Sequence, residues 1–146
     1  MYLKLTNGVP SSYSIDQLRR DNPNTSFPNV ISDEMLASYG VYPYTVPTAP
    51  SVDGKTQVAV RGDFTQDAQG NWTRSWLIEQ LPQENAERNV RAYRDDLLAK
   101  SDWRVIKSYE RSENLPAAWE LYRQALRDIT SQEGFPFNVT WPTEPA

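Results

Sequence analysis

The spacing of apolar residues changes near residue 82, and the two sides of that change predict different structure. Ahead of it, MYLKL alternates like a short strand. SIDQLRRDN begins with Ser14, a good N-cap, and predicts about two helical turns. SDEMLASYG predicts a second short helix, with Ser32 as cap, Asp33 and Glu34 at its positive end and Gly40 at its exit. VYPYTVPTAP meets proline too often for a helix or a central strand, and so reads as extended linker or sheet edge. In KTQVAVRGDF, Thr56, Val58 and Val60 alternate with Gln57, Ala59 and Arg61; DAQGN then supplies a turn, and NWTRSWLIEQL returns. This is a β-hairpin pattern over about 55–81. Trp72 and Trp76 fall on one face of the returning strand, a face expected to cover a core.

Beyond Pro82 the period becomes helical, with Ala86, Val90, Tyr93 and Leu97 on one stripe. KSDW predicts an interruption there, Ser101 or Asp102 capping a second short helix that carries Val105, Ile106 and Tyr109. SENLP breaks the chain again. Pro116 opens a further helix with the stripe Trp119, Tyr122, Leu126 and Ile129, ended by Gly134 and Pro136. The predicted fold class is α+β. Residues 1–81 form a mixed N-terminal region with the hairpin; residues 82–146 form an elbowed helical hairpin and an extended tail rich in aromatics and proline.

Composition changes this picture in two ways. Only 38% of the 146 residues are hydrophobic, but five Trp, eight Tyr and four Phe supply large burial per side chain, which disordered chains lack. The net charge of −4 argues against a general nucleic-acid binder. No window approaches a membrane span, and MYLKLTNGVPSSYS lacks the apolar centre of a signal peptide. With no cysteine either, a cytosolic setting without disulfides is the expectation.

There is no histidine, which removes Ser-His-Asp and Cys-His nucleophile systems and the zinc sites built on His or Cys. Acid–base work would fall to a carboxylate, Lys or Tyr of displaced pKa. The expectation is a non-catalytic chain with no cofactor and no metal. Gly54-Lys55-Thr56 matches the end of a phosphate-binding loop, but Ala49 stands where that pattern needs glycine, and no apolar strand leads in. Asp95-Asp96 and Asp33-Glu34 are helix neighbours pointing about 100° apart, so neither pair faces itself as an acid–base couple. A sugar platform of Trp72 and Trp76 is a weaker reading than a core role for both.

Three runs in the last part of the chain are more specific. They are Arg94, Asp95, Leu97, Leu98, Ser101, Asp102 and Trp103; then Trp119, Tyr122, Arg123, Ala125, Leu126, Arg127 and Asp128; then Pro136, Trp141 and Pro142. In this order they resemble the phage tail assembly chaperone family over roughly residues 91–145. The resemblance implies a non-catalytic protein that binds a phage tail fibre protein, expected to be trimeric, and assists its folding and trimerisation. Symmetry matching would place three copies on each fibre. With nucleic acid and membrane excluded by charge and hydropathy, action in the host cytoplasm during assembly is the expectation.

The residues expected to meet the partner are Arg123, Arg127, Phe135, Phe137, Trp141 and Pro142. Two alternatives stay open at this point. Arg123 and Arg127 equally suit an intramolecular Arg–Asp network, and the aromatic tail equally suits a strap over its own helices. The alternative role is a structural virion component that caps or adapts the fibre or baseplate and is retained on the tail.

Overall fold

The computed structural model describes all residues, Met1–Ala146. The chain divides into two compact units: Met1–Ser51 with Ala59–Ile78, and Val52–Val58 with Glu79–Ala146. The mixed α and β content expected from sequence is present, and no helix is long and apolar enough to cross a membrane.

In the first unit, β1 (Tyr2–Thr6) and β2 (Val9–Tyr13) pair antiparallel around Asn7 and Gly8. Both turn residues have positive φ, 53° and 81°, the left-handed pair whose twist matches flanking strands. Helices α1 (Ile15–Asp21) and α2 (Asp33–Ser38) start at the predicted caps. Ser14 accepts from the Gln17 N–H at 3.1 Å and Ser32 from the Met35 N–H at 3.3 Å. Each helix buries a leucine completely, Leu18 and Leu36, against Val41 of β3 (Val41–Thr45). Tyr2, Tyr13, Ile15 and Phe27 close over that cluster. Removing either cap, Ser14→Ala or Ser32→Ala, is expected to cost about 1 kcal/mol in urea unfolding. The double variant should lose the sum, because the caps serve different helices.

The sheet runs β2-β1-β3-β5-β4, so β3 is interior, where proline had argued for a linker or edge. Backbone alternation removes the conflict. Tyr44 N–H donates to Met1 O, and Gly40 O accepts from Leu5 N–H, so the even-numbered residues face β1. Pro43 turns its missing donor the other way. On that side β3 pairs only through Tyr44↔Trp72 and Thr45↔Thr73, parallel, and both pairs lie beyond the proline.

β4 (Gln57–Gln66) and β5 (Trp72–Gln80) form the predicted hairpin, its turn gathered by the Asp67 carboxylate accepting from Gln69 and Asn71 N–H. The tryptophan face does not seal a core, since no residue of β5 is fully buried. Trp76 lies beneath the Arg61 guanidinium at 3.9 Å and donates to Pro47 O at 2.8 Å; Arg74 covers Phe64 at 4.8 Å. The guanidinium groups themselves cover these rings, and that of Arg74 also donates to Gly62 O and the Ser12 hydroxyl.

In the second unit, α3 (Gln83–Glu110) is one helix of 28 residues, roughly 42 Å long. The interruption and elbow expected at KSDW are absent. Ser101 does not cap a new helix; its hydroxyl donates to Leu98 O within α3 at 2.9 Å. α3 ends at Arg111, with Ser112 at φ 55° and Glu113 N–H returning to Ser108 O at 2.9 Å, a Schellman closure made without glycine. Pro116 then leads into α4 (Ala117–Arg127), which tightens into a 3-10 turn over Asp128–Ser131. The predicted stripe is the buried one: Trp119, Tyr122, Leu126 and Ile129 are all at most 5% exposed.

Candidate partner-docking surface

Arg123 leaves α4 beside that stripe and is itself only 9% exposed. Its guanidinium donates to Leu98 O at 2.9 Å, to the Ser101 hydroxyl, and to the Asp102 carboxylate at 2.8 Å. A planar, forked, always-charged head suits three acceptors arranged along one turn of α3. Burial of Ser101, 2% exposed, follows from this contact. The Ser-Asp-Trp run of α3 and the Trp-x-x-Tyr-Arg run of α4 are therefore two halves of one joint. Asp102 keeps a side chain 56% exposed, so water shares its charge. Arg91 pairs with Glu87 at 3.0 Å, and Asp95 with Arg94 at 2.7 Å.

The tail returns to the same helices. Trp141 meets the Tyr93 ring edge-to-face at 4.8 Å and packs beside Trp119, Tyr122 and Leu126. Burial is the leading cause raising the Tyr122 phenol above its ordinary pKa. Gln132 fixes the route: its side-chain amide donates to Thr140 O at 2.9 Å and accepts from Thr140 N–H at 2.8 Å, as a strand neighbour would. Between them Asn138 N–H reaches Gly134 O, Pro136 is buried, and Phe135 lies 5.2 Å from the Arg91 guanidinium. Phe137 is 37% exposed, and Pro142 is half-buried.

The Asp53–Thr56 turn packs in this unit too. Lys55 lies over the Tyr93 ring at 4.8 Å and pairs with Asp53 at 2.8 Å, while Asn89 donates to Lys55 O. A strand follows this turn, and Lys55 is occupied, so the glycine-lysine-threonine match is a packing corner. The hydrogen bond from Lys55 holds the Asp53 carboxyl below its usual range. Its stabilising share is therefore present above the ordinary carboxylate pKa and fades as pH falls through the lowered one.

What remains outward is unusually apolar for the end of a long helix. Trp103, Ile106 and Tyr109 of α3 are 51%, 57% and 86% exposed, and Leu121 of α4 is 72% exposed. Arg127, also exposed, borders an open hollow of about 370 Å³ with Val105 and Leu121. Clusters of this kind mark interaction surfaces on folded proteins.

Residues 87–146 match the family model described as phage tail assembly chaperone protein. The matching segment holds most of α3, all of α4 and the returning tail, and it encloses the resemblance read from motifs over 91–145. No curated protein and no solved structure matches the chain.

Of the six expected partner residues, this chaperone-like segment gathers Arg123 and Trp141 into its own joints. Arg127 and Phe137 face outward, and Phe135 and Pro142 are intermediate. Sequence reasoning gave no surface role to Trp103 and Leu121. A signal was available, because Leu121 falls off the buried stripe of α4 and Trp103 off that of α3.

Proposed function

We propose that the chain is a non-catalytic assembly chaperone that binds a phage tail fibre protein and assists its folding and trimerisation. The family match over 87–146 carries this reading. The exposed Trp103, Ile106, Tyr109 and Leu121 support it, as a surface suited to holding apolar segments of an unfinished partner. Fibre trimers rely on non-local β pairing, which forms slowly and leaves sticky strand edges meanwhile. Covering such edges needs no nucleotide. Arg127 and Phe137 are the α4-side and tail-side contacts in this proposal, with Arg123 and Trp141 shaping the surface from within. The action belongs to the host cytoplasm during assembly.

The test is co-expression with a candidate fibre protein, reading soluble trimer yield and co-elution by size-exclusion chromatography with light scattering. Soluble trimer that appears only with this chain present is the expected result. A fibre that trimerises equally well alone overturns the chaperone role; continued binding in that case indicates a cap or adaptor.

A further inference from the structure

We infer that the cleft where α3 ends and α4 begins docks an acidic, apolar-containing segment of the partner protein. This rests on the reading above and names the chemistry of the contact. The cleft, of about 140 Å³, is lined by Trp103, Arg104, Lys107, Arg111 and Trp119, with Glu113 as its acidic member. Arg104 is held between two rings, 3.8 Å from the Trp119 centroid and 4.6 Å from that of Trp103. Lys107 lies over the Trp103 ring at 5.7 Å.

Charge complementarity selects the occupant. The chain as a whole carries −4, yet this corner concentrates cations, and none of Arg104, Lys107 and Arg111 takes part in an ion pair. The other α3 cations do: Arg88, Arg91, Arg94 and Lys100 are each matched to a carboxylate. The negative end of a helix favours cations, which accounts for Lys107 and Arg111 by themselves. It does not account for their sharing walls with an exposed indole. A guanidinium fixed by stacking keeps its N–H edge available for a carboxylate, with little ordering cost on binding. Trp103 offers an apolar flank to a side chain next to that carboxylate. Nucleic acid fits less well, because its backbone needs an extended basic face and these unpaired cations are gathered at one small cleft.

The experiment uses the full chain and a fluorescein-labelled synthetic peptide alternating Glu with Leu, read by anisotropy, with the Lys–Leu peptide as its mirror. The acidic peptide should bind the unaltered chain and weaken with added salt. In Lys107→Glu/Arg111→Glu its Kd should rise on the order of tenfold or more. An equal charge change at Arg20 and Arg88 should leave binding nearly unaltered. Lys107 and Arg111 are exposed, so the fold should survive, and thermal melts followed by circular dichroism check this. Trp103→Ala, at another exposed position, gives a second route and should also weaken binding.

Equal binding of the mirror peptide, indifference to both variants, or tighter binding of a single-stranded oligonucleotide overturns the inference. The fibre co-elution assay separates the two levels. A fibre held equally by the unaltered chain and the double variant removes the cleft but leaves the chaperone reading. An acidic peptide bound through the cleft, with no fibre bound at all, supports the cleft and removes the chaperone reading.

Discussion

Arg123→Ala is expected to lower the unfolding free energy by about 3 kcal/mol, near the top of the range for a single substitution. The loss has separable parts. Truncation removes the bonds that the guanidinium donates to Leu98 O, Ser101 and Asp102, and hydrogen bonds to a charged group are worth about 1.5–3 kcal/mol. It also removes the arginine stem from between α3 and α4. The Coulomb part is the smallest, since the Asp102 side chain is 56% exposed. Asp102→Asn should accordingly cost less than about 1 kcal/mol. Arg123→Lys should recover only part of the loss, because one ammonium cannot span Leu98 O, Ser101 and Asp102 together. Urea denaturation of the three variants decides this. If Asp102→Asn proves as costly as Arg123→Ala, ion pairing rather than the buried fork holds the helices together.

Gly134→Ala should have an effect of similar size but a different character, opening the tail loop rather than loosening the helices. A Cβ at Gly134 would stand 2.2 Å from Asn138 O and 2.9 Å from Asn138 Cβ. Backbone is the obstacle, and it has little room to yield. Asn138 is tied to Gly134 by a 2.6 Å hydrogen bond, and Gln132 brackets Thr140 just beyond. The cheapest relief is to release residues 134–141 and withdraw Trp141 from Tyr93, exposing an indole with a cost of about 2–4 kcal/mol. Hydrogen exchange resolved along the chain should show lost protection at Asn138 and Thr140 with α4 largely unaffected. Unchanged protection would mean that the close approach relaxes without opening the loop. The same variant bears on the proposed partner contact, because releasing the loop displaces Phe137.

What could be read from sequence was local in origin. Ser14 and Ser32 cap helices through bonds to residues three positions on, and the stripe of Trp119, Tyr122, Leu126 and Ile129 repeats within one short helix. The Asn7-Gly8 hairpin turn was missed, because Pro10 in the strand beyond argues against a strand there; an edge position makes that proline harmless. The misreadings all involve distant partners. Ser101-Asp102 looks like a cap until Arg123, more than twenty residues away, is known to claim it. Pro43 excludes a central strand only if its N–H side must be paired, which depends on where β5 begins. Trp72 and Trp76 alternate like core residues, but Trp76 is covered by Arg61, fifteen residues earlier on β4.

The outward surface was the least legible part. Motif residues mix those that build the α3–α4 joint with those that face solvent, and spacing alone does not separate the two. Arg123 and Arg127, four positions apart, differ completely in exposure because one points at α3 and the other past it.

The parallel seam between β3 and β5 gives the first unit a built-in line of weakness. It consists of Tyr44↔Trp72 and Thr45↔Thr73, reinforced by the Thr73 hydroxyl on Thr45 O and the Trp76 indole on Pro47 O. By contrast, the β1–β2 and β1–β3 ladders are longer and carry the leucine cluster of α1 and α2 on their side. Under thermal or mechanical load the sheet should part here first, as two intact pieces rather than by unravelling from an end. Each piece would keep its own turn and hydrogen bonds, and the parting would bare two strand edges at once, one on β3 and one on β5.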